Sequence, residues 1–245
     1  MDIRDKSALI TGASRGLGAA LSRELARRGA RVVMTARRAD DLEAVARRIR
    51  AEGGTAHVLP ADIGDKRAVH PLAGAAAALA GPVDILVHNA SELGPVPLRL
   101  LLDTECEDLE RVLAINLVGP SRLTKLLVGP MALRASGLVV LITSDAAMNG
   151  YPRWGAYGLS KAALEQMGRI WSAEMEGTGV RFLTVDPGEM DTRMHADAIP
   201  EADRSKLADS KDVAIRIADL IGDAEALPSG ARLELAALPG AEALQ

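Results

Sequence analysis

Residues 7–28 place the strongest constraint on what this chain can fold into. Ser7-Ala-Leu-Ile-Thr11 is a short apolar run, Gly12-Ala-Ser-Arg-Gly-Leu-Gly18 follows at once, and Ala19 to Arg28 carries helical periodicity. Strand, glycine turn and helix are read in that order. Glycines at such a turn allow tight backbone angles and close approach of a ligand, and the unpaired N–H groups at the helix start favour an anion. The natural occupant is the pyrophosphate of a dinucleotide. The spacing is Thr-Gly-x-x-x-Gly-x-Gly rather than the commoner Gly-x-Gly-x-x-Gly. Taken alone, it is equally compatible with a purely structural strand-to-helix connection.

The alternation continues downstream. Strands are expected near 7–11, 31–36, 55–60, 83–88, 137–143, 180–185 and 231–236, with helical stretches between them, among them the alanine-rich Ala73–Ala80. Arg31-Val-Val-Met-Thr-Ala36, Val83-Asp-Ile-Leu-Val87 and Leu138-Val-Val-Leu-Ile-Thr143 are nearly continuous in apolar residues, as strands covered on both faces by helices should be. The expectation is an α/β fold, a doubly wound parallel sheet of seven strands with helices on both faces. Its ligand crevice would lie at the carboxyl ends of the strands, where strand order reverses.

A chain of 245 residues, 48% of them apolar, can bury one substantial core, and no repeat or low-complexity linker divides it, so residues 1–245 read as a single domain. The formal net charge is −4 and the arginines are dispersed, which argues for neither nucleic acid nor an anionic membrane as partner. Cys106 is the only cysteine, which excludes an internal disulfide and a cysteine zinc site and fits a reduced cytoplasm. His57, His70 and His195 show no metal-ligand spacing, so no metal is expected. The first residues lack an apolar signal region and no run reaches the length of a bilayer span, so a soluble cytoplasmic protein is expected.

Tyr157 and Lys161 lie four residues apart in Trp154-Gly-Ala-Tyr-Gly-Leu-Ser-Lys161, which puts a phenol and an ammonium on one helix face. Tyrosine ordinarily titrates near ~10, and a fixed cation favours the phenolate, so the pair can exchange a proton with an oxygen near neutral pH. The same spacing is common on solvated helices and decides nothing alone.

Thr11-Gly-Ala-Ser-Arg-Gly-Leu-Gly18, His88-Asn-Ala90, Asn116, Ser144, Tyr157-x-x-x-Lys161 and Pro187-Gly188 together resemble the short-chain dehydrogenase/reductase family, in order and in spacing, over nearly the whole chain. The resemblance implies a Rossmann-like fold and an oxidoreductase that moves hydride between a nicotinamide and a carbonyl or secondary alcohol. Tyr157 would be the acid/base, with Lys161 lowering its pKa and holding the nicotinamide ribose. Ser144 would bond the reacting oxygen, and Asn116 would hold a water in a relay with the lysine; without that context Asn116 is a helix asparagine bonded to nearby backbone. The implied cofactor site comprises Gly12, Ser14, Arg15, Gly16, Leu17 and Gly18 of the turn, Arg37, Arg38, Asp62, Ile63, Asn89 and Ala90, with Tyr157, Lys161, Pro187, Gly188 and Thr192 around the nicotinamide.

The second strand ends in Ala36-Arg37-Arg38, where an NAD enzyme usually carries an acidic residue, so the implied cofactor is NADP(H). The alternative is that both arginines are surface cations before a helix. Asp40 and Asp41 read as capping groups of that helix, and Asp62 either meets the adenine or caps a loop. Residues from about 188 to 210 would form a substrate lid with Met190, Met194 and Ile199 as apolar contacts, and Met148, Tyr151, Trp154 and the segment 92–98 would complete the pocket. Two departures stand out. His88 and Ser91 occupy positions where relatives usually carry Asn and Gly, which crowds the cofactor turn. Asp186 stands where an asparagine commonly precedes Pro-Gly, trading amide donors for a charge. The substrate is not readable. Alternative functions are an NAD-dependent sugar or polyol dehydrogenase and a catalytically weak NADP-binding regulatory or scaffold protein. A homodimer or homotetramer built on helices around 104–129 and 155–176 is implied.

Overall fold

The computed structural model describes residues 1–238; Pro239 and the rest of the expected single domain to Gln245 lie outside the described residues. Seven strands form one parallel sheet: β1 (Ser7–Thr11), β2 (Arg31–Thr35), β3 (Thr55–Val58), β4 (Ile85–His88), β5 (Gly137–Ile142), β6 (Val180–Asp186) and β7 (Arg232–Glu234). Their spatial order is β3-β2-β1-β4-β5-β6-β7, so the winding direction reverses between β1 and β4. That reversal opens the crevice at the carboxyl ends of these two strands. All seven expected strands are present: β1 matches its expected bounds, β2, β3, β4 and β5 are trimmed at one end, β6 runs one residue further, and β7 is trimmed at both ends.

Eight α-helices connect them: α1 (Gly16–Arg27), α2 (Ala39–Ala51), α3 (Lys66–Ala80), α4 (Cys106–Leu113), α5 (Gly119–Leu133), α6 (Gly155–Glu174), α7 (Arg193–Ala198) and α8 (Ser210–Gly222). The pleat divides the apolar runs between two cores. Ala8, Ile10, Val32, Met34, Val140 and Val185 pack with Leu21, Leu25, Leu42, Ile217 and Ile221 of α1, α2 and α8. Leu9, Val33, Leu86, Val139, Leu141 and Phe182 pack on the other face with Leu72, Leu123, Leu127 and Leu164 of α3, α5 and α6. Continuous apolar strands are thus explained: both of their faces are covered.

Helices α4 and α5 run on through a π-helical turn at Ala114–Val118. The continuous helix Cys106–Leu133 spans 28 residues and is long and apolar enough to cross a bilayer by length and composition, which corrects the expectation that no run reaches that size. Its apolar side serves the core: Ile115, Leu123, Leu127, Val128 and Met131 are buried beneath the sheet. The π turn carries Asn116, whose buried side chain bonds the segment after β4.

Candidate active site

A cleft of about 1120 Å³ runs along the carboxyl edge of the sheet, from Arg15, Arg37, Arg38 and Asp62 at one end to Ser144, Trp154, Tyr157 and Met194 at the other. Every proposed cofactor residue, from Gly12 to Thr192, lines it.

The glycine turn is built for close approach. Gly12 and Gly16 take positive φ of +67° and +53°, where an L side chain is strained. A Cβ on Gly18 would lie 2.4 Å from both the Gly12 carbonyl oxygen and Asn89 Nδ2. The turn is braced to β4: Asn89 Nδ2 donates to the Thr11 carbonyl at 2.9 Å and to Gly12 at 3.2 Å, while the Thr11 hydroxyl accepts from the backbone N–H groups of Asn89 and Ala90. Helix α1 starts at Arg15 with no side-chain cap, whereas Asp65, Thr192 and Asp209 cap α3, α7 and α8. Its first N–H groups therefore stay available to an anion.

At the mouth, Arg15, Arg37 and Arg38 are exposed. Arg37 lies 3.9 Å from Glu92, and Arg38 pairs with Asp41 at 3.0 Å. Asp40 and Asp41 sit within the first turn of α2 rather than at its cap; the cap position is Arg38, and neither carboxylate closes it. They complement the helix dipole from inside the helix. Asp62 caps its loop, accepting the Gly64 N–H at 2.9 Å, and it lines the cleft.

At the other end, α6 delivers Tyr157 and Lys161. Lys161 is 1% exposed, and Nζ donates to the Ile142 carbonyl oxygen at 2.8 Å and lies 5.4 Å from the Tyr157 ring centre. Burial pulls its pKa down to about 8, opposed by the charges of Asp186 and Glu165. Tyr157 packs edge-on against Trp154, with ring centres 5.7 Å apart. On balance the phenol is not acidified. Burial dominates and holds Tyr157 above its ordinary range, partly relieved by the nearby Ser144 and Ser91 hydroxyls, while the Asp186 and Asp145 charges add to the rise. The helical spacing foretold proximity correctly; it could not register the desolvation. Ser144 Oγ donates to Asp145 Oδ1 at 2.9 Å. Asn116 accepts from the Glu92 N–H at 2.8 Å and donates to the Glu92 carbonyl and to Ser160 Oγ, so its side chain clasps the segment after β4.

A model of the short chain dehydrogenase family matches residues 6–203. The chain belongs to the short-chain dehydrogenase/reductase family. A short chain dehydrogenase from Pseudocercospora fijiensis is 38% identical over 82% of this chain and 65% of its own, so the chain spans less than two thirds of that relative's length. Among solved structures, a short chain dehydrogenase from Pseudomonas syringae superposes with a TM-score of 0.89 at 29% identity, covering 95% of each chain. A metagenomic short-chain oxidoreductase in complex with NADP gives 0.77 at 30% identity, covering 90% of this chain and 92% of that one.

Within this family member the departures resolve differently from expectation. His88 does not crowd the cofactor turn: its ring is 2% exposed, is not part of the cleft wall, and bonds Thr124 Oγ1 of α5 at 2.8 Å. Ser91 does line the cleft, with its hydroxyl buried. Thr192 reaches the cleft, and its hydroxyl accepts from His195 N at 3.3 Å as the cap of α7, a bond that does not use its own O–H donor. Its methyl lies 3.4 Å from where a Gly16 Cβ would stand, so the lid touches the glycine turn. Met190, Met194, Ile199, Met148, Tyr151 and Trp154 line the cleft as expected, whereas of the segment 92–98 only Glu92 and Leu93 do so; Leu98 packs behind Tyr157 instead. Sequence reasoning passed over Thr11 as the brace, and over Glu165 and Arg232, charged residues in elements that read as ordinary helix and strand.

Burial pushes the His88 pKa down to about 3, against ~6.5 in an unfolded chain. As pH falls through that window the unfolded state binds the extra proton and the fold loses stability. His88→Gln is expected to flatten the pH dependence of the urea midpoint between roughly pH 6.5 and 3; an unchanged slope would show that His88 is not the titrating group.

Proposed function

We propose that this chain is an NADP(H)-dependent oxidoreductase that exchanges hydride between the nicotinamide and a carbonyl or secondary alcohol, with Tyr157 as acid/base. The observation that carries the reading is the convergence of Tyr157, Ser144 and Lys161 on one end of a cleft whose other end is a glycine turn flanked by arginines. The turn fits a dinucleotide, since side chains at Gly12 or Gly18 would close it and the start of α1 is uncapped. Arg15, Arg37 and Arg38 offer several donors to a 2′-phosphate, and the likeness to an oxidoreductase solved with NADP supports that choice.

Bound NADPH supplies the hydride. The Ser144 hydroxyl turns from Asp145 to hold the carbonyl oxygen, and Tyr157 gives its proton to that oxygen as negative charge develops there. The Lys161 ammonium, anchored on Ile142, steadies the phenolate left behind. Burial keeps the phenol protonated in the free protein, which is the form that carbonyl reduction requires. Val118 of the π turn and Leu159 and Ile170 of α6 are exposed, and we assign them to a dimer or tetramer contact between copies of the chain.

NADPH oxidation against a panel of ketones and aldehydes tests the activity. Tyr157→Phe should lower kcat/KM by about 10²–10⁴ while leaving NADPH binding intact; binding without turnover in both proteins would favour the regulatory reading. Reduction should fall above pH about 8, as Lys161 gives up its proton, and hold steady below. Arg37→Asp should weaken NADPH about tenfold or more and spare NADH, whereas equal affinities in both proteins would favour the NAD-dependent reading. Sedimentation should give a mass above the 25.7 kDa of one chain, reduced by Leu159→Glu.

A further inference from the structure

Asp186, the departure before Pro187-Gly188, meets a partner from the last strand. Arg232 pairs with Thr184 in the β6–β7 register, so Thr184, Asp186, Arg232 and Glu234 project on one face of the sheet, the face that α6 covers. Arg232 Nη2 donates to Asp186 Oδ2 at 2.8 Å and lies 3.5 Å from the Ser144 carbonyl oxygen. Its Nε donates to Glu165 Oε1 at 2.9 Å, and its Nη1 bonds Glu234. Glu165 is 1% exposed, sits one helical turn beyond Lys161, and accepts the Thr143 hydroxyl at 2.7 Å. Asp186 Oδ1 accepts the Gly188 N–H at 3.0 Å. One guanidinium thus ties together the segment after β5 that carries Ser144, the helix that carries Tyr157 and Lys161, and the turn that begins the lid.

We propose that Arg232 is a positioning residue of this site, which locks Asp186 and Glu165 in place and offsets the carboxylate charge bearing on Tyr157 and Lys161. This rests on the reading of Tyr157 and Lys161 as the proton-transfer pair. The charged groups facing them are Asp186 from β6, Arg232 and Glu234 from β7, Glu165 from α6 with Arg169 3.5 Å behind it at the surface, and Asp145 from the turn after β5. Asp186 and Glu165 favour the charged form of Lys161, and Asp186 disfavours the phenolate of Tyr157. Arg232 stands against both carboxylates. Losing the arginine and losing the aspartate should therefore act in opposite directions, and losing both should nearly cancel.

Carbon NMR of lysine-¹³C-labelled protein reads this without turnover: the Lys161 Cε resonance, identified by its loss in Lys161→Met, is followed across pH. The expected midpoint of the wild-type chain is about 8. Arg232→Gln should raise it by about one unit, Asp186→Asn should lower it by about as much, and the double variant should return near the start. If Arg232→Gln does not fold, Arg232→Met, which also removes the charge but keeps an apolar stem, takes its place with the same expected rise. Midpoints that stay put in the single variants, or that move together in one direction, overturn the proposal. The alkaline limb of carbonyl reduction should follow the same midpoints. Absence of turnover across the carbonyl panel would sink the hydride-transfer reading, while the resonance still decides the role of Arg232.

Discussion

The burial of the Lys161 ammonium, with Nζ held on the Ile142 carbonyl oxygen at 2.8 Å, is the constraint around which the carboxyl edge of the sheet is arranged. Taking an ion out of water costs several kcal/mol even after relaxation, and the protein answers with nearby opposite charge. Asp186 and Glu165 supply it, and each must in turn be held by something. Arg232 holds both. The result is a chain of dependence from the last strand, through the turn that follows β6, to the helix that presents the phenol. A desolvated lysine that titrates near neutrality is also the kind of group whose protonation small changes in its surroundings can shift.

The opposite end of the cleft answers a different problem. An anion must approach backbone, so the turn after β1 does without side chains at Gly12, Gly16 and Gly18, and Asn89 and Thr11 restore by hydrogen bonding the rigidity that glycines give away. The two ends meet along the segment that follows β6. Thr192 caps α7 with its hydroxyl and rests its methyl over Gly16, while the Met190–Ala208 bridge folds the segment back on itself. The Arg204–Asp191 ion pair lies across the same fold. The glycine turn and the segment after Pro187-Gly188 therefore share an edge.

Much of this was legible beforehand. The seven strands followed from apolar runs whose two faces both find cores, and the position of the crevice followed from alternation and handedness. Tyr157 and Lys161 announced themselves because a helix brings residues four apart together. What eluded reading was long-range. Arg232 lies 46 residues from Asp186 and 67 from Glu165, and nothing local marks it as their common partner. His88 was expected beside the cofactor because its neighbours in sequence are there, yet a strand alternates its faces, and residue 88 turns to α5. Nor did its position mark Thr192, which lines the cleft, as also accepting the His195 N–H at the start of α7.

The amino-acid sequence by itself determined the layered fold, the anion-accepting turn and the pairing of phenol with ammonium, because periodicity and the backbone freedom of glycine are local properties. Tertiary structure alone decided the charge state of that pair. Desolvation and ion pairing depend on which distant segments are folded over a group, and only the packed β5, β6, β7 and α6 bring Ser144, Asp186, Arg232 and Glu165 around Tyr157 and Lys161.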